Sequence, residues 1–134
     1  MVLVTKFGSC EQTLAPPENF TGHVEMVSRF QRPSPARLAG VTVIFAKGAR
    51  TNWHKHPLGQ TLLVTEGAGW VQEEGEKAFA IAEGDSVWIP ANVRHWHGAS
   101  TTSGMTHVAL QESLDGKTVE WLEAVDENQY PSDG

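Results

Sequence analysis

The segment GARTNWHKHPLGQTLLVTEG, residues 48–67, places two histidines one residue apart in a stretch that reads as a β-strand. Side chains at i and i+2 of a strand point to the same face, so His54 and His56 converge while Trp53 and Lys55 face the other way. Pro57 favours this reading because the residue before a proline is held in extended geometry. Gln60 has the same parity, so its amide oxygen is predicted to enter the same cavity.

A second segment, GDSVWIPANVRHWHGAS at residues 84–100, repeats the pattern with His95 and His97. The same parity places these two imidazoles on one face and Trp96 on the other. One such pair on a strand can simply be a solvated face. Two pairs together with a glutamine of matching parity favour a metal site.

Three imidazoles and one amide oxygen form a ligand set for a divalent metal. Imidazole suits zinc, copper, iron and nickel, whereas an amide oxygen suits manganese or iron. Four neutral ligands leave the 2+ charge uncompensated, and an octahedral ion would keep open positions for substrate. The set therefore predicts a Lewis-acid centre.

The rest of the chain reads as an all-β protein. Thirteen glycines and seven prolines divide its 134 residues into short apolar stretches, with no long amphipathic segment. Strands are predicted at residues 22–29, 38–47, 60–66, 69–73, 77–82, 85–89, 95–99 and 105–111, with one of the turns at 67–69. So many short strands imply closure into a sandwich or barrel, since open sheet edges invite association.

We expect a single domain over residues 1–134, with an arm at about residues 1–20 and a barrel core at about 38–112. Residues 118–130 fit both a strand and a helical turn, and we expect a strand to about Glu123 followed by a short C-terminal helix. On the strand near residues 41–45, either Val41, Val43 and Phe45 or Thr42 and Ile44 face inward.

Composition excludes several classes of function. The formal charge is −6 and no two basic residues are adjacent, which argues against a nucleic-acid partner or a polybasic membrane patch. Neither a transmembrane segment nor a signal-peptide core is found, so the expected location is cytoplasmic. Cys10 is the only cysteine, which excludes an intrachain disulfide and a cysteine-rich zinc site.

The two histidine segments resemble the two cupin motifs. The first, G-x5-H-x-H-x3-E-x6-G, is matched from Gly48 to Gly67, with Gln60 in place of the glutamate. The second, G-x5-P-x-G-x2-H-x3-N, is matched at Gly84, Pro90 and His95, whereas Asn92 and Ala99 replace its second glycine and its asparagine. This resemblance implies a single jelly-roll-like β-barrel whose His54, His56, Gln60 and His95 hold the metal.

A likeness over nearly the whole chain is carried by GARTNWHKHPLGQTL, RHWHGA, MTHVALQESLDGK and VEWLEAV. These stretches resemble small bacterial manganese cupins with hydroxynitrile lyase activity. The likeness implies cleavage of a cyanohydrin such as mandelonitrile to an aldehyde and hydrogen cyanide, and the reverse addition. It also implies Mn²⁺ as the metal, with Fe²⁺, Ni²⁺ or Zn²⁺ as alternatives, and His107 as the catalytic residue nearest the cyanide.

Further residues are candidates for the pocket around the metal. Two interpretations are open for His107: it transfers a proton, or it is a buried histidine bonded to the backbone. Two are open for His97 as well: it orients a ligand, or it is a spare polar residue at the barrel mouth. Thr51 and Gln111 bond substrate or are solvated, and Val43 is a candidate for the apolar wall. The tryptophans, Trp53 and Trp96 among them, fit packing between sheets or subunits, and a homo-oligomer, a dimer or tetramer, is expected.

Two other functions fit the same ligand set, because ligand identity fixes a site better than a reaction. One is a metal-dependent cupin dioxygenase or isomerase acting on a small organic molecule. The other is a non-enzymatic barrel that binds a small ligand.

Overall fold

The computed structural model describes residues 1–131, which form twelve β-strands and one short 3-10 turn at Phe7–Ser9. The strands in chain order are β1 (Thr13–Leu14), β2 (Phe20–Thr21), β3 (Val24–Gln31), β4 (Leu38–Phe45), β5 (Arg50–Thr51), β6 (His54–Lys55), β7 (Gln60–Glu73), β8 (Phe79–Ala82), β9 (Ser86–Ile89), β10 (His95–Ala99), β11 (Met105–Glu112) and β12 (Glu120–Trp121). The all-β prediction is confirmed, and β10 has the predicted bounds.

Strand β7 joins the two halves of a curled sheet. Its first half pairs with β11 on one side and with β9 on the other, and the sheet continues from β11 through β4 and β3 to β1. Its second half pairs with β10 and β8. All these pairings are antiparallel, as the short connections allow. Because both halves share one strand, their inner faces oppose each other around a common interior.

The turn predicted at residues 67–69 is wrong, because β7 runs through it. The ladder between β7 and β11 shifts register next to His107, which bends the strand without ending it. Gly67 has φ of 76°, and a Cβ there would overlap the carbonyl group of Gly104. Glycine is therefore required by a bend within the strand at this position.

The core lies between the two halves and is mostly aliphatic. On β4 the side chains of Val41, Val43 and Phe45 are buried, while Thr42 and Ile44 are half-buried. This decides which parity of the strand faces inward. Burial of each such apolar side chain contributes about 1.5–3 kcal/mol.

The N-terminal residues reach the mouth of the interior. Strand β1 pairs with the edge of β3, and Phe20 is buried against Trp121 with 5.4 Å between ring centroids. The backbone N–H of Asn52 donates to the carbonyl of Asn19 (2.8 Å). These contacts hold residues 15–21 beside the histidine strands.

The short C-terminal helix predicted after Glu123 is wrong, since no α-helix forms in residues 1–131. The N–H of Leu122 donates to the carbonyl of Trp53, and the N–H of Trp53 donates to the carbonyl of Glu123, both at 2.9 Å. Residues 126–129 then form a turn in which Gln129 N–H donates to Asp126 C=O (2.9 Å). The backbone groups that a helix needs are thus used in pairing with the neighbouring chain segment.

A second apolar cluster lies on the outer side of the histidine strands. Trp53 and Trp96 pack edge to face against each other with Val125 beside them, and Leu122 and Tyr130 add to the cluster. Trp96 is fully buried and its Nε1–H donates to Gln72 Oε1 (2.9 Å). The C-terminal segment therefore covers these tryptophans within the chain.

Across residues 1–131 there is no helix of the length and hydropathy that a bilayer-spanning segment requires.

Candidate metal centre

Five histidines meet in the interior of the curled sheet. His54 and His95 are direct partners across β6 and β10, and their ring centroids lie 4.2 Å apart. His56 and His97 each lie 5.1 Å from His54, and His107 lies 4.8 Å from His97. The shared face predicted for each His-x-His pair is thus what the structure shows, with Trp96 on the opposite face.

Backbone carbonyls set the tautomers of three of these rings. The Nδ1 atoms of His54, His56 and His95 lie 2.8, 2.7 and 3.0 Å from the carbonyl oxygens of Asn52, Thr118 and Val93. A carbonyl only accepts a hydrogen bond, so each neutral ring carries its proton on Nδ1. Each Nε2 therefore presents a lone pair, which is the form that binds a metal.

The amide of Gln60 is oriented by a chain of two hydrogen bonds. Gln111 Nε2 donates to the carbonyl of Ala39 (3.3 Å), which turns its Oε1 toward Gln60 Nε2 at 3.1 Å. Gln60 Oε1 then lies 3.3 Å from His95 Nε2. Both of these atoms are acceptors in the tautomer that Val93 imposes, so their approach is favourable only with a cation or a proton donor between them.

A divalent cation fits this donor set. Ligand atoms of His54, His95 and His97 all lie within 4.8 Å of one another, and the Nε2 atoms of His56 and His97 are buried without a hydrogen-bond partner. Unsatisfied buried polar atoms are costly, and a bound cation would satisfy the lone pair of His56 Nε2. The three histidines whose ligand atoms lie within 4.8 Å include His54 and His95 of the predicted ligand set, add His97, and leave out His56.

His97 and His107 form a buried pair. His107 Nε2 lies 3.0 Å from His97 Nδ1, and His107 Nδ1 has no hydrogen-bond partner. The ring of His107 also lies 5.1 Å from that of Phe45. His107 is therefore hydrogen-bonded to the side chain of His97.

Burial keeps these histidines neutral. Loss of solvation lowers the pKa of His95 and of His107 to about 4, and it lowers the pKa of His56. Burial first, and then the neighbouring imidazoles, hold the pKa values of His54 and His97 well below the usual range. Neutral imidazole is the ligand and the general base, so the site has the required protonation state at neutral pH.

Thr51 and Val43 lie where the sequence places them, at the wall of the cavity. Thr51 Oγ1 accepts a hydrogen bond from the backbone N–H of His97 (3.2 Å), so it fixes the strand that carries His97. Val43 is the direct neighbour of His107 across β4 and β11. Gln111 bonds to Gln60 and to Ala39, as described above, instead of being solvated.

The cavity in front of the histidines has a volume of about 270 Å³. Its polar lining includes His54, His56, His97, His107, Thr51, Gln60 and Gln111. The apolar wall of the same cavity includes Met26, Val41, Val43, Phe45, Ala109 and Trp121. Among the described residues that line it there is no aspartate or glutamate, and Arg29 is the one charged side chain.

Sequence reasoning missed Trp121 as part of this wall. It pairs with His54 across β12 and β6, and the two ring centroids lie 4.7 Å apart. The alternation of Val119 and Trp121 is typical of a strand and indicates that both side chains share a face. The strand that pairs with Trp121, β6, has only two residues, so this pairing is hard to predict from sequence. The carbonyl groups of Asn52, Val93 and Thr118 carry no signal in the sequence, because they are backbone atoms.

A curated protein is similar to this chain over nearly its whole length. A curated relative from Granulicella tundricola (strain ATCC BAA-1859 / DSM 23138 / MP5ACTX9) is named (R)-mandelonitrile lyase. It is 50% identical over 127 residues, which cover 95% of this chain and 97% of the relative. The name describes that relative as a lyase of a small organic substrate.

Solved structures agree with the fold. A cupin-like protein of Thermotoga maritima superposes with a TM-score of 0.85 at 36% identity, covering 92% of this chain and 96% of that one. A polyketide cyclase of Streptomyces resistomycificus superposes with a TM-score of 0.74 at 11% identity, covering 97% and 91%, which shows a common fold alone. The family model of the cupin domain matches residues 41–110, from β4 to β11. With both histidine segments inside that match, the chain belongs to the cupin family.

Proposed function

We propose that this protein is a metal-dependent hydroxynitrile lyase that cleaves an aromatic cyanohydrin such as mandelonitrile to an aldehyde and hydrogen cyanide. The observation that carries the proposal is the pairing of a buried metal-competent histidine cluster with the His97–His107 pair at one small cavity. The relative named (R)-mandelonitrile lyase supports the reaction class and the preference for the (R) enantiomer.

We assign the metal to His54, His56, Gln60 and His95, whose Nε2 and Oε1 atoms are the free acceptors described above. Mn²⁺ is our choice, because the amide oxygen of Gln60 is a harder ligand than imidazole; Fe²⁺, Ni²⁺ and Zn²⁺ are the alternatives. When bound, such an ion supplies a Lewis acid that makes the substrate hydroxyl more acidic.

The His97–His107 pair has one tautomer that serves proton transfer. When His107 Nε2–H donates to His97 Nδ1, the Nδ1 atom of His107 keeps a lone pair and His97 carries its proton on Nε2. Neither of these outer atoms has a protein partner, and both residues line the cavity. The pair then offers one base and one hydrogen-bond donor to the substrate.

In the reaction the O–H and C–CN bonds of the cyanohydrin break, and a carbonyl group and hydrogen cyanide form. We assign to His107 Nδ1 the acceptance of the hydroxyl proton and its return to the departing cyanide, so no net charge is left in the site. His97 stabilises the protonated state of His107 by accepting its Nε2–H. Its own Nε2–H is placed to donate to the nitrile or to the oxygen.

The apolar wall determines which substrates fit. Val41, Val43 and Phe45 from β4 and Trp121 from β12 line the same cavity of about 270 Å³ as the histidines. A single aromatic ring with a two-carbon substituent fits such a volume, and burial of its apolar surface favours binding.

The test is release of benzaldehyde from racemic mandelonitrile at mildly acidic pH, followed by ultraviolet absorbance, with chiral chromatography of the remaining substrate. Manganese-loaded protein should consume the (R) enantiomer, and metal-stripped protein should not exceed the blank. His107→Ala should lower kcat by about 10²–10⁴-fold, the usual contribution of a positioned acid–base group, with unchanged metal content. His23→Ala, an exposed histidine, is the matched control.

Absence of release with the metal bound would overturn the proposal. Oxygen consumption on a small enolisable substrate would then identify a cupin dioxygenase, and turnover without oxygen would identify an isomerase. Ligand binding that is unaffected by His107→Ala, with no turnover, would identify a non-enzymatic binding barrel.

Assembly into a homodimer or homotetramer and a cytoplasmic location stay predictions. Trp53 and Trp96 pack within the chain, so the large exposed aromatic side chains available to a second copy are those of Phe7, Phe79 and Trp88. Light scattering of wild-type protein and of Trp88→Ser tests this: we expect the variant to dissociate, whereas a monomeric wild type would contradict the prediction.

A further inference from the structure

A β-bulge next to the cavity changes the direction of β3. Val27 pairs with Thr42 and Phe30 pairs with Gly40, so Ser28 and Arg29 together oppose the single Val41. Ser28 has φ of 58°, in the left-handed region that residues other than glycine seldom occupy. Bulges of this kind redirect a side chain, and here Arg29 joins Met26 and Val41 in lining the cavity.

Arg29 lacks an anionic partner. Its Nη2 donates to the Met26 sulfur (3.0 Å), which is a weak acceptor. Within residues 1–131 no carboxylate lies within salt-bridge distance of its guanidinium group, although the chain carries sixteen acidic residues. By contrast, the guanidinium groups of Arg50 and Arg94 form short ion pairs with exposed glutamates.

The charge of the whole cavity has one sign. Its described lining contains no carboxylate, its histidines are neutral, and Arg29 lies on β3 opposite Val41 of the apolar wall. A guanidinium group without a counter-ion at the edge of a cavity attracts an anion, and its planar donors match a carboxylate.

We propose that Arg29 is a specificity-determining residue which selects small aromatic substrates bearing a carboxylate in addition to the reacting hydroxyl group. The inference deepens the proposed function by naming a substrate class for the same site. Mandelonitrile itself would then be a truncated substrate that fills the apolar wall and leaves Arg29 unpaired.

The expected preference is modest because Arg29 is exposed to solvent. Ion pairs between exposed groups are worth about 1 kcal/mol or less, so we expect about a fivefold tighter dissociation constant for the carboxylate ligand than for a neutral ligand of the same shape. Salt at roughly 0.5 M should remove most of the difference, since exposed charges are screened over a few ångströms at such ionic strength.

The test compares two product-like aldehydes of equal shape, 4-formylbenzoate and 4-formylbenzamide, by calorimetric titration into metal-loaded protein. Wild type should favour the benzoate about fivefold. Arg29→Gln should bind both equally, Arg29→Glu should favour the benzamide, and Arg29→Lys should retain part of the preference. Arg37→Gln removes the same charge from an exposed position outside the cavity and should leave the preference unchanged.

A preference that survives in Arg29→Gln would overturn the inference, because the carboxylate would then bind elsewhere, at the metal for example. Equal binding of the two aldehydes by wild type would overturn it as well. These results are separate from the proposed function, since binding needs no turnover: mandelonitrile cleavage without a benzoate preference contradicts only the role of Arg29. A preference that depends on Arg29, without any cyanohydrin cleavage, contradicts only the lyase proposal.

Discussion

Replacing Gln111 by leucine tests how the amide of Gln60 is held. Gln111 accepts from Gln60 Nε2 (3.1 Å) and donates to the carbonyl of Ala39 (3.3 Å), and this chain directs Gln60 Oε1 toward His95 Nε2. Leucine is of similar size but neither accepts nor donates. In Gln111→Leu the amide of Gln60 is free to rotate, and its NH₂ group can replace the oxygen at the metal.

The magnitude follows from the loss of this orientation. Removal of a partner that orients a metal ligand typically lowers metal affinity by about 10–100-fold, which corresponds to about 1.4–2.7 kcal/mol. The apolar wall is unchanged by the substitution. We therefore expect the loss in manganese binding to exceed any change in the affinity for a neutral aromatic ligand.

Calorimetric titration of manganese into stripped protein measures this loss directly. Gln111→Glu keeps an acceptor for Gln60 Nε2 and should retain the affinity, and Gln31→Leu, at an exposed position on β3, controls for the change in polarity. Wild-type affinity in Gln111→Leu, together with a large loss in Gln60→Leu, would refute the argument that Gln111 orients the ligand.

Three further predictions concern stability. Burial lowers the pKa of His107 to about 4, whereas the same imidazole in the unfolded chain has a pKa of about 6.5. The free energy of unfolding of metal-free protein should thus fall by about 3 kcal/mol for this group as the pH drops from about 6.5 to about 4; urea midpoints that stay constant over that range would contradict it. Trp96→Ala should cost about 3–5 kcal/mol because the side chain is fully buried, and Leu14→Ala, 68% exposed, should cost far less; similar costs by urea titration would contradict the packing described. Gly67→Ala should destabilise by more than about 1 kcal/mol, because it combines a positive φ with overlap on Gly104, and an unchanged melting temperature would contradict this.

The part of the site that sequence predicts is the part that depends on strand parity. His54 and His56 share a face because of backbone geometry alone, and the same holds for His95 and His97. The strand at residues 95–99 was predicted with its exact bounds, since Pro90 and Asn92 mark its start. Local rules therefore fix which imidazoles share a face, and the structure shows that this face is the inner one.

The remaining features depend on contacts between distant segments. Strand β7 passes through Gly67 because β11 and β10 pair with its two halves, and the sequence around Gly67 does not reveal either partner strand. The segment after Trp121 is extended because it bonds to Trp53. The bulge at Ser28 appears only in the register between β3 and β4, and the orientation of Gln60 depends on Gln111, fifty-one residues away.

The most direct test of the central claim is a titration of manganese into metal-stripped protein in which bound metal and benzaldehyde release from mandelonitrile are measured on the same samples. We expect both to rise together and to level off at roughly one ion per chain, as one cluster of ligands requires. Full release by stripped protein, or complete metal binding without any release, would contradict the account.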